Sequence, residues 1–499
     1  MQLGKRIKYE ILKKEVLTAI ETETQIPKNE IAEKMVNIQK KFGVSFLEFY
    51  KENLWEYSED EIKKEYNNAD IKAVAEILNI SYMEAKSKMG KIKREYGINY
   101  REYAENKLYV YKTKKKLEEK IEQIDLKKKS YIENVCKDTG WSYEKALREA
   151  ERVRKKYGIN YKKYAAYRFF AMSEEEICEK LKGWNEKQQD YENIVMQESG
   201  WDKKKVQAHM KKFQYQFNIP PAYYVLYRAW ELSDEQMDSY ARQKLSEKIW
   251  AKYNDKEEAK ILAEKDKFDQ VYKDYIQRKF WLNTNKNYAE FLEFIEGLDY
   301  VFCKPIMFGG GLGTEKYKIN HENPEELYEL LINKDRLLVE ECVNQHKEID
   351  EFISGCVNTI RVVTIKDKNE VKIICTGIRF GYQGITDNFS KDGMVADVDP
   401  ETGIIRTPAV DKKGHIFEQH PISGKKFVGF QIPLWDEVIK VAKAAIQVQE
   451  GVNYVGWDLA VCENKVVIIE GNSMPDLVLV QAPYAKDKIG KRYLFDPYL

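Results

Sequence analysis

The stretch Gly456-Trp457-Asp458-Leu459-Ala460-Val461-Cys462-Glu463-Asn464-Lys465-Val466-Val467-Ile468-Ile469-Glu470-Gly471-Asn472 reads as two apolar strands joined by a short polar turn. Each strand carries a single acid. Pairing the strands about Asn464 sets Asp458 opposite Glu470, with Cβ atoms about 4.5–5.5 Å apart. Asn472 falls on the same face as Glu470, because strand side chains alternate. Two carboxylates opposed within apolar strands are destabilising unless a cation lies between them. Magnesium meets that need, since it binds through one or two carboxylates and completes its shell with water and nucleotide phosphate. Asp458 and Glu470 are therefore candidate carboxylates for a bound cation. The alternative is a one-residue register slip that splays the acids, or protonation of one of them.

Upstream, Asn358-Thr359-Ile360-Arg361-Val362-Val363-Thr364 and Val371 to Phe380 read as a second hairpin, turning at Asp367-Lys368-Asn369. A three-residue turn centred on Lys368 puts Arg361 and Arg379 on one face. Two buried guanidinium groups on one face call for an oxyanion, which they grip with paired donors, and phosphate suits that geometry. Earlier still, Tyr300 to Pro305 reads as a strand ending in Lys304, followed by Phe308-Gly309-Gly310-Gly311-Leu312-Gly313 and a further strand, Lys316 to Ile319. Glycines let backbone N–H groups approach phosphate oxygens, and the lysine adds a point charge. No Gly-Lys-Ser/Thr and helix follow, so this is neither a Walker loop nor a Rossmann turn. Leu337-Leu338-Val339-Glu340-Glu341-Cys342-Val343 is an apolar strand with two adjacent acids on opposite faces, of which at most one faces a given pocket.

Residues 1–250 differ in texture. They are rich in Lys, Glu and Tyr and nearly free of Pro and Gly, which predicts helices. The segment also resembles itself. Tyr131 and Trp141 recur as Tyr191 and Trp201, and Tyr157-Gly158-Ile159 recurs as Phe217-Asn218-Ile219, with earlier marks at Phe42-Gly43-Val44 and Tyr96-Gly97-Ile98. Serine-acid caps follow at Ser58, Ser173 and Ser233, while the second copy lacks one. About four helical units of roughly 54–61 residues are expected, each sharing its apolar face with its neighbours. Such an array is either a stacked scaffold or an extended binding surface.

Among 499 residues, 83 Lys and Arg against 82 Asp and Glu leave a net charge of +1, which offers no global field for nucleic acid or an anionic membrane. No apolar stretch approaches the length of a membrane span, and the first residues lack a signal peptide's apolar core, so a cytoplasmic protein is expected. Seven cysteines without a C-x-x-C pair read as buried reduced thiols, and five histidines without ligand spacing argue against zinc.

Taken in order, Phe302-Cys303-Lys304-Pro305, Gly309 to Gly313, Val339-Glu340-Glu341, Val357 to Val362, Arg379 to Asn388, His420-Pro421, and Trp457-Asp458 through Glu470-Gly471-Asn472 resemble the ATP-grasp superfamily. The likeness is closest to its sugar-transfer-associated branch and runs from about Lys260 to Asp476. It implies an α+β fold, in which an all-helical N-terminal array (1–250) precedes a two-lobed ATP-grasp catalytic domain (251–499). By the resemblance, ATP lies between the lobes with Lys267 and Lys304 on its phosphates and Gly309, Gly310, Gly311 and Gly313 closing over them. Glu340, Glu341, Cys342 and Val343 line the adenine and ribose. Asp458, Glu470 and Asn472 hold Mg2+, and Arg361 and Arg379 grip the transferring phosphoryl group or a substrate carboxylate. One departure is that Ser390-Lys391-Asp392-Gly393 stands where a glycine pair is expected.

The activity so implied is ATP-dependent joining of a small-molecule carboxylate to an amine through an acyl phosphate. A surface-polysaccharide or envelope substrate is one expectation, and a peptide, carrier or glycan recruited by the helical units is another. Alternatives are a kinase that stops at phosphoryl transfer and a nucleotide-binding scaffold without turnover.

Overall fold

The computed structural model of the chain describes residues 14, 16–22, 24–42, 49–50, 53–66, 68–306, 313–334, 337–368, 370–382, 386–389 and 393–499, without the side chains of 39–42 and 63–65. It divides into two compact units, Met1–Pro221 and Ala222–Leu499. The division falls earlier than the change of texture near residue 250. Ala241, Leu245 and Ile249 bury their side chains with Val363, Ile365 and Tyr454 of the second unit, so a helical segment belongs by packing to the strand-rich half.

The first unit is helical throughout its described residues. Helices of 26, 15 and 6 residues, Lys114–Thr139, Tyr143–Tyr157 and Tyr161–Ala166, are followed by helices of the same lengths at Glu174–Ser199, Lys203–Phe217 and Pro221–Leu226. Tyr82–Tyr96 and Tyr100–Glu105 precede them with the 15- and 6-residue lengths. Gly97, Gly158 and Asn218 end their helices in the left-handed conformation, with φ of 70°, 70° and 60°, where glycine and asparagine meet little steric cost. Gly43 lies outside the described residues. Ser58, Ser173 and Ser233 each accept the N3 backbone amide in a capping box, an arrangement worth about 1 kcal/mol. Where the serine-acid pair is missing, Thr113 caps instead.

The second unit contains two antiparallel sheets. Strands β1 (Phe280–Leu282), β2 (Tyr300–Pro305), β3 (Glu315–Lys318) and β4 (Leu337–Glu341) form a sheet in the order β1-β4-β2-β3. Its apolar face buries Trp281, Val301, Cys303 and Val339 against helices Tyr288–Ile295 and Pro324–Ile332. Phe302 and Lys304 alternate to the other face. The larger sheet has the order β11-β10-β5-β6-β7-β8-β9, from β5 (Ile360–Asp367), β6 (Glu370–Phe380), β7 (Met394–Asp397), β8 (Ala409–Asp411), β9 (Ile416–Phe417), β10 (Tyr454–Val461) and β11 (Val466–Asn472). Helix Trp435–Ala445 covers one face, packing on Val362, Val455 and Trp457. On the other face Val363, Ile365 and Tyr454 meet Leu245, Val480 and Phe495. Burial on both faces explains why β10 reads as a nearly unbroken apolar run.

Both hairpins are tighter than their sequences suggest. Val461 pairs with Val466 through Cys462 and Lys465, leaving Glu463-Asn464 as a two-residue turn. Asp367 pairs with Glu370, and Lys368 in that turn has φ of 57°, as short hairpin turns of matching twist require. Two-residue turns alone would shift each register by one and send Glu470 and Arg379 to the wrong faces. In each hairpin one extra residue, Ile469 or Ile374, restores the register, so that Asp458 pairs with Glu470 and Arg361 with Gly377. These are β-bulges, which commonly re-aim side chains beside functional sites.

Among the described residues no helix is long and apolar enough to cross a membrane. Gly403 shows the tightness of packing beside the large sheet: its φ is +76°, and a Cβ there would lie 2.3 Å from Trp435 Cγ. Gly403→Ala is expected to cost roughly 1–3 kcal/mol, from left-handed strain and displacement of the indole. Chemical denaturation of the variant checks this.

Candidate functional site

A cavity of about 600 Å³ opens between the two sheets of the second unit. The small sheet contributes Phe302, Lys304 and Lys316, and the large sheet contributes Arg361, Arg379, Glu470 and Asn472. Lys304 lies near the end of β2 on the face opposite the apolar core, and Arg361 and Arg379 occupy β5 and β6 where the apolar face gives way to charge.

Asp458 is the electrostatic centre. It is 0% exposed, and Arg361 grips it with two donors, Nε to Oδ1 at 2.6 Å and Nη2 to Oδ2 at 3.0 Å. Arg379 Nη2 donates to Oδ2 at 3.0 Å. Burial opposes the charge, but the guanidinium groups outweigh it and hold the Asp458 carboxyl well below its usual range. Arg379 is itself anchored: Asp387 Oδ2 accepts from its Nε at 3.3 Å and from the Thr359 amide at 2.8 Å.

A metal ion is not the only cation available to Asp458. The opposite cation is already present as two arginines, because β5 pairs with β10 and sets Arg361 directly across from Asp458. Glu470 is not so neutralised. It faces the open cleft, and burial among surrounding groups followed by the Asp458 carboxylate raises its pKa. Asn472 Nδ2 lies 3.3 Å from Glu470 Oε1 and 3.5 Å from Asp458 Oδ2. Among the described residues no three His, Cys, Asp or Glu side chains cluster as a closed metal site. One free carboxylate and one amide nevertheless fit an ion that takes most of its ligands from water and phosphate.

Glu340 differs from the role expected of it. It is 1% exposed, ion-paired to Arg278 and to Lys304, the latter at 2.5 Å. Its carboxylate therefore fixes the cations of the small lobe and is not open to a ribose. Glu341, Cys342 and Val343 do line the cavity where the chain leaves β4. Arg278, which also donates to the Ile468 carbonyl at 2.7 Å, ties the two sheets together. Sequence reasoning missed it, because a lone arginine before a three-residue strand carries no motif.

Residues 244–489 match the family model described as sugar-transfer associated ATP-grasp. This half of the chain belongs to that family. No curated protein matches the chain. Among solved structures, the ATP-grasp ligase PsnB complexed with minimal precursor is similar over 47% of this chain and 62% of its own, at 12% identity and a TM-score of 0.29. The D-alanine-D-alanine ligase from Coxiella burnetii is similar over 48% and 56%, at 14% identity and a TM-score of 0.29. The corresponding ligase from Bacillus anthracis gives 48% and 66%, 13% and 0.29. The chain thus spans about three fifths of these proteins, and likeness at this level carries nothing about reaction or substrate.

Within the ATP-grasp domain, Lys267 is not among the residues that line the cleft. Its ammonium pairs with Glu264 and its side chain is 61% exposed. Lys265, two residues earlier and so on the opposite side of helix Lys265–Val271, lines the cavity and donates to the Pro305 carbonyl at 2.6 Å. Gly309, Gly310 and Gly311 lie outside the described residues, as do Ser390, Lys391 and Asp392. Gly313 has φ of +73°, and a Cβ there would lie 2.9 Å from Pro305 Cγ. His420 is fully buried with Nε2 2.8 Å from the Gly381 carbonyl, a fold contact.

Asp458→Asn is expected to cost about 3–5 kcal/mol, since it leaves two buried guanidinium groups without a counter-charge. Urea unfolding checks it. A second test concerns Asp269, 2% exposed beside Glu340, whose burial and that neighbouring carboxylate raise its pKa. A raised folded pKa means the protonated form favours the fold, and stability falls as pH rises through it. Asp269→Asn removes that loss, so the difference in Tm between variant and parent is expected to be more positive at alkaline than at acid pH.

Proposed function

We propose that the chain is an ATP- and Mg2+-dependent ligase joining a carboxylate to an amine through an acyl phosphate. The observation that carries this reading is the single cavity in which Lys304 and Lys316 of one sheet face Arg361, Arg379, Glu470 and Asn472 of the other. Phosphoryl transfer rests mainly on positioning and charge neutralisation, and this cleft supplies both.

In this reading Lys265 and Lys304 hold the nucleotide phosphates, Glu341 to Val343 the adenine and ribose, and Gly309, Gly310, Gly311 and Gly313 cover them. Glu470 and Asn472 would hold Mg2+, with Asp458 behind them fixing the arginines. The ion would neutralise charge on the transferring phosphate. An oxygen of the substrate carboxylate attacks the γ-phosphorus, and the bond to the β,γ-bridging oxygen breaks to release ADP. Arg379, anchored by Asp387 and Thr359, holds the acyl phosphate. The amine then attacks the acyl carbon, the C–N bond forms, and the C–O bond to phosphorus breaks with its electron pair leaving on inorganic phosphate. The ammonium form of the acceptor loses two protons in all, one to phosphate and one to solvent. The recurring helical elements of the first half serve this reading as a platform for a peptide, carrier or glycan substrate in the cytoplasm, and the sugar-transfer association in the family's description is compatible with a surface-polysaccharide context.

The test is incubation with Mg-ATP and panels of carboxylates and amines, followed by mass spectrometry. ADP, inorganic phosphate and an amide in equal amounts are the expected products. A stable phosphorylated product instead makes the chain a kinase, and no nucleotide turnover makes it a scaffold. Glu470→Gln is expected to abolish Mg2+-dependent turnover while the fold persists, because it removes a cleft carboxylate that, among the described residues, has no ion-pair partner. Unchanged turnover removes Glu470 from the metal site.

A further inference from the structure

The cleft has a second charged wall that the phosphate-handling groups leave unused. Helix Pro221–Leu226 brings Tyr223, the turn after β8 brings Lys412, and the loop after β11 brings Asp476, all lining the same cavity. Tyr223 Oη donates to Asp476 Oδ2 at 2.7 Å, and the Val478 amide donates to Oδ1 at 3.0 Å. The turn and the helix lie against each other, since a Cβ on Gly414 would stand 3.6 Å from the Leu226 carbonyl oxygen. Gln481 secures the helix from behind, donating to Tyr227 Oη at 3.1 Å and to the Ala241 carbonyl at 2.6 Å.

Several charges of the cavity are matched within the protein, and those of this wall are not. Glu340 is matched by Arg278 and Lys304, and Asp387 by Arg379. Among the described residues neither Asp476 nor Lys412 has an ion-pair partner, and both face the cavity. Among the described residues Asp476 accepts only from neutral donors, a hydroxyl and an amide, which leaves its carboxyl group without a basic partner. Burial and the Asp476 carboxylate raise the Tyr223 pKa, which keeps the hydroxyl a donor. Tyr223 also precedes the segment that matches the family. The third residue of the two earlier six-residue helices is Glu102 or Lys163, so a cleft tyrosine is particular to the last.

We infer that Tyr223, Asp476 and Lys412 form the acceptor subsite, and that it takes a zwitterionic amine, an amino acid, with its ammonium group on Asp476 and its carboxylate on Lys412. The assignment rests on the ligase reading above and names the class of its nucleophile. A fixed carboxylate facing an ammonium, and an ammonium facing a carboxylate, select a molecule carrying both charges over amines or acids carrying one.

Titration calorimetry on the full chain loaded with Mg2+ and AMPPNP tests it, with the common L-amino acids and D-alanine as probes, followed by the N-acetyl and C-amide forms of whichever binds. Binding of a free amino acid is expected, weakened about tenfold or more by N-acetylation or Asp476→Asn and similarly by amidation or Lys412→Gln, as loss of a charged hydrogen bond implies. Tyr223→Phe should weaken it a few-fold. AMPPNP affinity should stay within about twofold in all three variants, which also shows that they fold. No binding of any free amino acid at millimolar concentration, or unchanged binding in Asp476→Asn, overturns the subsite while leaving the ligase reading standing. Failure of the parent chain to bind Mg-AMPPNP overturns both.

Discussion

Burying Asp458 between Arg361 and Arg379 is the constraint on which the strand-rich half is organised. A buried carboxylate survives only with close opposite charge and filled hydrogen bonds. Here the register of β5 against β10 supplies the first guanidinium and that of β6 against β5 the second. Three strands are thereby locked to one another by side chains as well as by their ladders. Their polar end is fixed at the mouth of the cleft, and Glu470 and Asn472 on β11 are presented to it.

The small lobe repeats the device with the signs exchanged. Glu340 is the buried anion, and Arg278 and Lys304 are the cations it positions. Arg278 reaches the Ile468 carbonyl of the large sheet, so the two charge clusters are joined through β11. The end of the cleft that the proposed reading gives to phosphate is thus an array of cations with internal counter-ions. Such preorganisation lets charges act on a developing transition state without costly rearrangement. On the opposite wall Asp476 and Lys412 have no ion-pair partner among the described residues, and the proposed acceptor subsite is built on them.

Several sequence readings agreed with the structure for reasons other than the ones used to reach them. Asp458 does face Glu470, and Arg361 shares a face with Arg379, but each hairpin turns through two residues and recovers its register at a bulge. Alternation along a strand is visible in a sequence, whereas an extra residue in one strand is not. Lys267 and Lys265 stand two residues apart on one helix; a displacement of two residues reverses the side, and Lys265 is the residue on the cleft. Glu340 looked like a ligand for ribose because its counter-ion Arg278 lies 62 residues away in sequence.

By itself the sequence determined the local architecture: helices with serine and threonine caps and left-handed ends in the first half, paired strands with polar turns in the second, and the order of the charged motifs. Those features depend on neighbours within a few positions, where steric and hydrogen-bonding rules act directly. Only the tertiary structure decided which charges neutralise one another, that residues 222–250 pack with the strands, and that Tyr223, Lys412 and Asp476 share a wall. Such pairings join residues separated by tens to hundreds of positions, and their energies depend on burial and distance, which exist only once the chain has folded.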